Sequence, residues 1–82
     1  MDLDDVIGEI QEACEEPSIP RRVRDALSKI SAELGRGGQD AAIKVTSAIY
    51  ELDDIANDVN LPVHAKTILW DVISHLESLK RT

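Results

Sequence analysis

Eighty-two residues suffice for one domain with a thin core, because a chain of this size buries only about 60% of its unfolded surface. Sixteen acidic residues against nine basic ones give a formal charge of −7. This excess argues against binding to nucleic acid or to anionic membranes, because phosphate binding depends on Lys and Arg. With one Trp, one Tyr and no Phe, the core must be aliphatic.

The cysteine count and the apolar runs bear on location. A single cysteine, Cys14, cannot form an intramolecular disulfide, so no oxidising compartment is implied. The acidic start lacks the features of a signal peptide, and no apolar run approaches the roughly 20 residues of a membrane span. We therefore expect a cytoplasmic protein.

One helix–proline–helix pattern occurs twice. The segment that begins at Ile19-Pro20 matches the segment that begins at Leu61-Pro62, at an offset of 42 residues. Farther upstream, residues 3–6 match residues 52–55 at an offset of 49, which predicts a shorter turn in the second copy. Repeats of this length are typical of paired helices that bury their apolar faces against each other.

The spacing of apolar residues predicts four helices within a single helical domain over residues 1–82. The first two are expected near residues 3–15 and 20–35, with the second ending at Gly35-Arg36-Gly37-Gly38. Pro20 fits the first turn of helix two. The expected inward residues are Leu3, Val6, Ile7, Ile10 and Cys14 in helix one, and Val23, Leu27, Ile30 and Leu34 in helix two.

Helices three and four are expected near residues 40–57 and 62–80. Asp40 is a candidate cap for helix three, Pro62 begins helix four, and Lys80 and Arg81 suit its negative end. The expected inward residues are Ala42, Val45, Ile49, Leu52, Ala56 and Val59, then Ala65, Ile68, Leu69, Val72, Leu76 and Leu79.

The short connections make consecutive helices antiparallel neighbours. No segment alternates with the period of a strand. The sequence therefore predicts an all-α fold, in which two pseudo-repeated hairpins form a four-helix bundle with HEAT-like pairing.

Two resemblances accompany this prediction. The pattern Pro20-x-x-Val23-Arg24-x-Ala26-Leu27-x-x-Ile30 resembles the second helix of a HEAT-type repeat, although the second copy lacks the valine–arginine pair. Taken whole, the chain resembles a family of small, uncharacterised archaeal proteins that share an acidic first helix, an Ile-Pro-x-x-Val-Arg segment and a late Leu-Pro segment. That resemblance implies a helical fold and an archaeal source, and it transfers no catalytic residue.

Arg21, Arg22 and Arg24 are a candidate site for an anion or an acidic partner. They lie in the first turn of helix two, where positive charge opposes the helix dipole. Pairing with Glu15, Glu16 and Asp25 is the local explanation for their position, and an anion or acidic-partner site is the alternative.

Several carboxylates and the two histidines are the residue types that could bind a metal ion. Asp5, Glu9, Glu12 and Glu16 run along one face of helix one, which is typical of a solvated face; a docking surface for a basic partner or a cation site is the alternative. Asp71 and His75 are one turn apart and could form a hydrogen bond or supply two ligands, short of the three protein ligands of a catalytic zinc site. No metal site and no cofactor are predicted.

Three large apolar residues lie off the predicted core stripes. Trp70 is about 140° from the centre of the apolar stripe of helix four, and Ile43 and Tyr50 lie on the far side of helix three. Exposed aromatic residues are favoured anchors of protein interfaces. The alternative is that a helix with two neighbours needs a wider apolar arc.

Three hypotheses for function follow. The first is a non-enzymatic interaction module that binds a protein partner or a second copy through Ile43, Tyr50 and Trp70. The second is a small metal- or anion-dependent enzyme assembled across a dimer from Asp71 and His75. The third, recognition of nucleic acid through the arginines, is disfavoured by the net charge.

Overall fold

The structure is a computed structural model that describes residues 2–36 and 40–80. The described chain is all-α, as predicted, and its four helices lie within one residue of the predicted ranges. Gly37, Gly38 and Arg81, which entered the predictions for helix ends, lie outside the described residues. The helices are α1 (Leu3–Cys14), α2 (Arg21–Gly35), α3 (Ala41–Ala56) and α4 (Val63–Lys80).

A reciprocal cap fixes the start of α1. The backbone N–H of Asp5 donates to the side chain of Asp2, and the backbone N–H of Asp2 donates to the side chain of Asp5, each at 3.0 Å. This capping box satisfies two backbone donors that a helix leaves unpaired at its N-terminus. The two carboxylates also lie at the positive end of the helix dipole.

The two connections between paired helices have the same length and the same construction. Residues 15–20 link α1 to α2, and residues 57–62 link α3 to α4. The backbone N–H of Ser18 donates to the side chain of Glu16, and the backbone N–H of Asn60 donates to the side chain of Asp58. In both connections the residue that follows the donor is a buried aliphatic one. Pro20 occupies the N-cap of α2 rather than its first turn.

The expectation of a shorter second turn, with an upstream offset of 49, was therefore wrong. A constant offset of 42 pairs α1 with α3 as well as α2 with α4. The false match was seven residues out of register. Seven residues make nearly two helical turns, so the two alignments place similar residues on the same face.

The helices form a bundle in which each one packs against two neighbours. α1 contacts α2 and α4, and α3 contacts α2 and α4, so α1 lies diagonally across the bundle from α3. Within the described residues, no helix is long and apolar enough to cross a membrane. The centre is aliphatic and comprises Val6, Ile10, Ala13, Ile19, Val23, Leu27, Ile30, Leu34, Val45, Ala48, Leu52, Ala56, Leu61, Ala65, Leu69, Val72, Ile73 and Leu76.

The predicted inward stripes differ from this core at several positions. All four inward residues of α2 are buried. In the second hairpin, Ala42 is exposed because it lies in the first turn of α3, and Val59 is exposed because it lies in the turn beyond α3. Ala48 and Ile73 are buried instead. Six other residues that were predicted to face inward are only partly buried and pack against the edge of the core. They are Leu3, Ile7, Cys14, Ile49, Ile68 and Leu79.

Truncation of a central residue tests this packing. Leu69 is fully buried, so Leu69→Ala should lower the free energy of unfolding by about 2–5 kcal/mol, through lost burial and a residual cavity. Ser74→Ala, on the exposed side of the same helix, is the control and should change it by no more than about 0.5 kcal/mol. Urea unfolding followed by circular dichroism measures both, and equal effects would contradict this assignment of the core.

Candidate functional site

Large apolar side chains are exposed in the second hairpin. Within the described residues, every exposed large hydrophobic residue belongs to α3, to α4 or to the turn between them. They are Ile43 (64% exposed), Tyr50 (71%), Val59 (87%), Val63 (77%) and Trp70 (51%).

Ile43 and Tyr50 point away from the bundle. Taking about 100° per residue, Ile43 lies about 175° and Tyr50 about 155° from the centre of the buried arc of α3. Neither side chain is buried by a neighbouring helix, so a wider apolar arc for packing against two neighbours does not explain their positions. Trp70 lies about 115° from the buried centre of α4 and is half-buried.

The helical residues of this set share the outer face of the hairpin, and Val59 is exposed in the turn at one end of it. A groove between α3 and α4 is lined by Tyr50 together with Glu77 and Lys80, which places Tyr50 on that side. Trp70 precedes Glu77 by seven residues and Val63 precedes Trp70 by seven, so all three follow the same side of α4. We call the surface formed by Ile43, Tyr50, Val59, Val63 and Trp70 the α3–α4 face.

The spacing of apolar residues does not indicate Val59 and Val63 as surface residues. It predicts that Val59 lies on the inward stripe of helix three, which is wrong, and it assigns Val63 to no surface. The signal for Val63 was its spacing of seven residues from Trp70, which puts both on one side of a helix.

The first hairpin provides an internal comparison for the α3–α4 face. At the offset of 42, the residues that correspond to Tyr50, Val59, Val63 and Trp70 are Gly8, Pro17, Arg21 and Ser28. The same hairpin architecture therefore forms with small or polar residues at most of these positions. A Cβ atom added at Gly8 would meet nothing within 4 Å, so the first hairpin also has room for a side chain that it does not carry.

The three candidate arginines are in different environments. Arg22 forms an ion pair with Asp58 in the turn between α3 and α4, which sequence spacing did not indicate. Arg21 is exposed, and Nε of Arg24 is buried without a hydrogen-bond partner among the described residues. The expected local partner Glu16 accepts hydrogen bonds from Ser18 instead. An acidic-partner site at these arginines stays a prediction.

The seam between α1 and α4 is the counterpart of the seam that holds Arg22. At the offset of 42, Glu16 corresponds to Asp58 and His64 corresponds to Arg22. The groove there, of about 240 Å³, is lined by four carboxylates and two apolar residues, with no Lys or Arg in its lining. These residues are Glu9, Glu12, Ala13, Glu16, Ile68 and Asp71.

His75 contacts α1 rather than Asp71. Its Nδ1 atom lies 2.8 Å from Oε1 of Glu9, which joins α4 to α1. Asp71 lies beside this contact in the groove wall and is exposed. Among the described residues, no group of three or more His, Cys, Asp and Glu side chains is arranged to hold a metal ion.

Cys14 is a partly buried thiol packed against the core. Desolvation by burial, and then the negative charge of Glu15, raise the pKa of Cys14 above its ordinary value. A raised pKa lowers the thiolate fraction at neutral pH, and the thiolate is the nucleophile. This environment suits a packing residue.

The negative charge of the chain is concentrated at α1. Residues 2–16 contain seven acidic residues and no basic one, whereas the rest of the chain carries nine of each sign. The net charge of −7 therefore belongs to α1 and its two ends. Because α1 lies diagonally across the bundle from α3, this charge is remote from the outward side chains of α3.

Comparison with known proteins places the chain in a family. A family model described as "Uncharacterised protein family (UPF0147)" matches residues 1–79. The chain belongs to this family. A UPF0147 protein from Methanothermobacter thermautotrophicus is 36% identical over 66 residues, which are 80% of this chain and 65% of that protein. A UPF0147 protein from Methanocaldococcus jannaschii is 32% identical over 71 residues, which are 87% of this chain and 76% of that protein.

Solved structures of similar proteins share the fold. The crystal structure of a UPF0147 protein from Thermoplasma acidophilum superposes with a TM-score of 0.87 at 29% identity, over 93% of this chain and 89% of that one. A second, described as a protein of unknown function, superposes with a TM-score of 0.80 at 32% identity, over 93% and 86%. The expected archaeal family is thereby confirmed. The HEAT-type resemblance of the helix pairs stays a prediction.

The Arg22–Asp58 pair is open to a double-mutant cycle. Because the Arg22 side chain is 70% exposed, its coupling to Asp58 should be no more than about 1 kcal/mol. Asp58→Ala should cost more than Arg22→Ala, because Asp58 also accepts a hydrogen bond from the N–H of Asn60. Chemical denaturation of the two single variants and the double variant measures the coupling, and a value of several kcal/mol would contradict a solvent-screened pair.

Proposed function

We propose that this UPF0147 protein is a non-enzymatic protein-interaction module and that the α3–α4 face is its binding surface. The observation that carries the proposal is the difference between the two hairpins. They share an architecture and a core pattern, yet one exposes Tyr50, Val63 and Trp70 where the other has Gly8, Arg21 and Ser28. Folding of the hairpin does not demand these large apolar side chains, so we assign them to contact with another protein.

The composition of the face supports this assignment. Tyr and Trp are enriched in the energetically important centres of protein interfaces, where they bury a large area at a low cost in side-chain entropy. Glu77 and Lys80 border the groove beside Tyr50 and give the apolar residues a charged rim. An apolar centre with a polar rim is the usual anatomy of an interface.

The proposal includes a non-enzymatic role and a cytoplasmic location for the protein. We infer a non-enzymatic role because two of the candidate groups for chemistry have structural partners, His75 in Glu9 and Arg22 in Asp58. We place the protein in the cytoplasm because a single cysteine suits a reducing compartment.

Site-specific photo-crosslinking in the source cell tests the surface. A photoreactive phenylalanine analogue at position 50 should form covalent adducts with protein on irradiation, because Tyr50 lies within the proposed interface. The matched control carries the analogue at Gln11, an exposed position on α1, and should form none. Adducts are read by denaturing electrophoresis and mass spectrometry.

Two outcomes would contradict the proposal. One is that position 50 gives no adduct with protein, and the other is that positions 50 and 11 give the same adducts in the same yield. The second outcome would show that the α3–α4 face is no more adhesive than the acidic surface.

A further inference from the structure

We propose that the α3–α4 face binds a second copy of this chain, as a two-fold symmetric dimer in which the two hairpins pack antiparallel. This inference rests on the proposed function and names its partner. Three features of the molecule support it, namely the order of the exposed residues along the face, the position of the negative charge and the size of the face.

The exposed residues are ordered so that the face complements itself. Tyr50 and Trp70 lie near the middles of α3 and α4, Ile43 lies towards one end of the hairpin, and Val59 and Val63 lie towards the other. A two-fold axis through the middle sets the aromatic residues of the two copies against each other. It also brings the Ile43 end of one copy to the valine end of its partner. In a two-fold interface, each contact occurs twice, once from each copy, so both ends are paired in this way.

The charge on the chain favours this face over the opposite one. Two copies that met through α1 would bring together two segments of seven acidic residues each. In the proposed dimer, each α1 lies one helix layer behind the interface. Three layer spacings of about 10 Å then separate the two α1 helices by about 30 Å, well beyond the Debye length of about 8 Å at physiological salt.

The long side of the bundle that carries the α3–α4 face is large enough for a stable dimer. The bundle extends 35 × 20 × 19 Å between Cα atoms, so its long side offers about 700 Å² in projection. A standard specific interface buries about 800 Å² on each partner. Burial of the face would also add a second apolar layer to a domain whose own core is thin.

Absolute molar mass by light scattering, measured on the full chain over a range of concentrations, tests the dimer. The wild type should approach twice the chain mass of 9.0 kDa as concentration rises. A triple variant carrying Tyr50→Ala, Val63→Arg and Trp70→Ser should stay monomeric with an unchanged helical spectrum, since two of its new residues are those of the first hairpin. Gln11→Ala is the matched control and should behave as the wild type.

A second readout keeps the test decisive if the triple variant fails to fold. In a Cys14→Ser background, Ser74→Cys lies at an exposed position one turn from Trp70, near the proposed axis, and should form an intermolecular disulfide on mild oxidation. Ala32→Cys, the corresponding exposed position of the first hairpin, should not. A disulfide in both, or in neither, would overturn the two-fold arrangement.

The outcomes separate this inference from the proposed function. A wild type that stays monomeric at every concentration overturns the dimer. If position 50 still crosslinks another protein, only the choice of partner was wrong. If position 50 crosslinks no protein, the proposed function as an interaction module is contradicted as well. A dimer that the triple variant leaves intact would also overturn the inference, because the contact would lie elsewhere.

Discussion

Burial of aliphatic side chains along the centre of the bundle is the constraint on which this structure depends. Ile10 and Leu27 in the first hairpin are fully buried, and so are Leu52 and Leu69 in the second. At the offset of 42, Ile10 corresponds to Leu52 and Leu27 corresponds to Leu69. Neither hairpin can bury its apolar face alone, so each supplies half of a common core. Since both hairpins meet the same demand with equivalent residues, the differences between them lie on their outer surfaces.

The outer surfaces of the two hairpins differ in charge and in apolar content. In the first hairpin, residues 2–16 carry seven acidic residues and no basic one, and small or polar residues such as Gly8 and Ser28 occupy outer positions. The second carries Tyr50 and Trp70 at the corresponding positions. The bundle therefore presents a charged side and an apolar side. In the proposed dimer, repulsion between two copies of α1 disfavours contact through that helix.

Helical periodicity predicted the parts of this structure that are local. The buried stripe of α2 and the off-stripe positions of Ile43 and Tyr50 follow from spacing along one helix, which the sequence states directly. The pairs Arg22–Asp58 and Glu9–His75 could not be predicted, because they depend on how separate helices are rotated against each other. The offset of 49 misled because a shift of seven residues preserves the face of a helix while displacing it by two turns.

Contact between two copies of the chain through the apolar side of the second hairpin would shield Trp70 from solvent, so the fluorescence of this residue tests that contact. Trp70 is the single tryptophan and is half-exposed, so acrylamide quenching of its fluorescence measures its access to solvent. Quenching should weaken as protein concentration rises, and Tyr50→Ala should remove this dependence. Quenching that stays strong and equal in both proteins at all concentrations would show that this side does not bind a second copy.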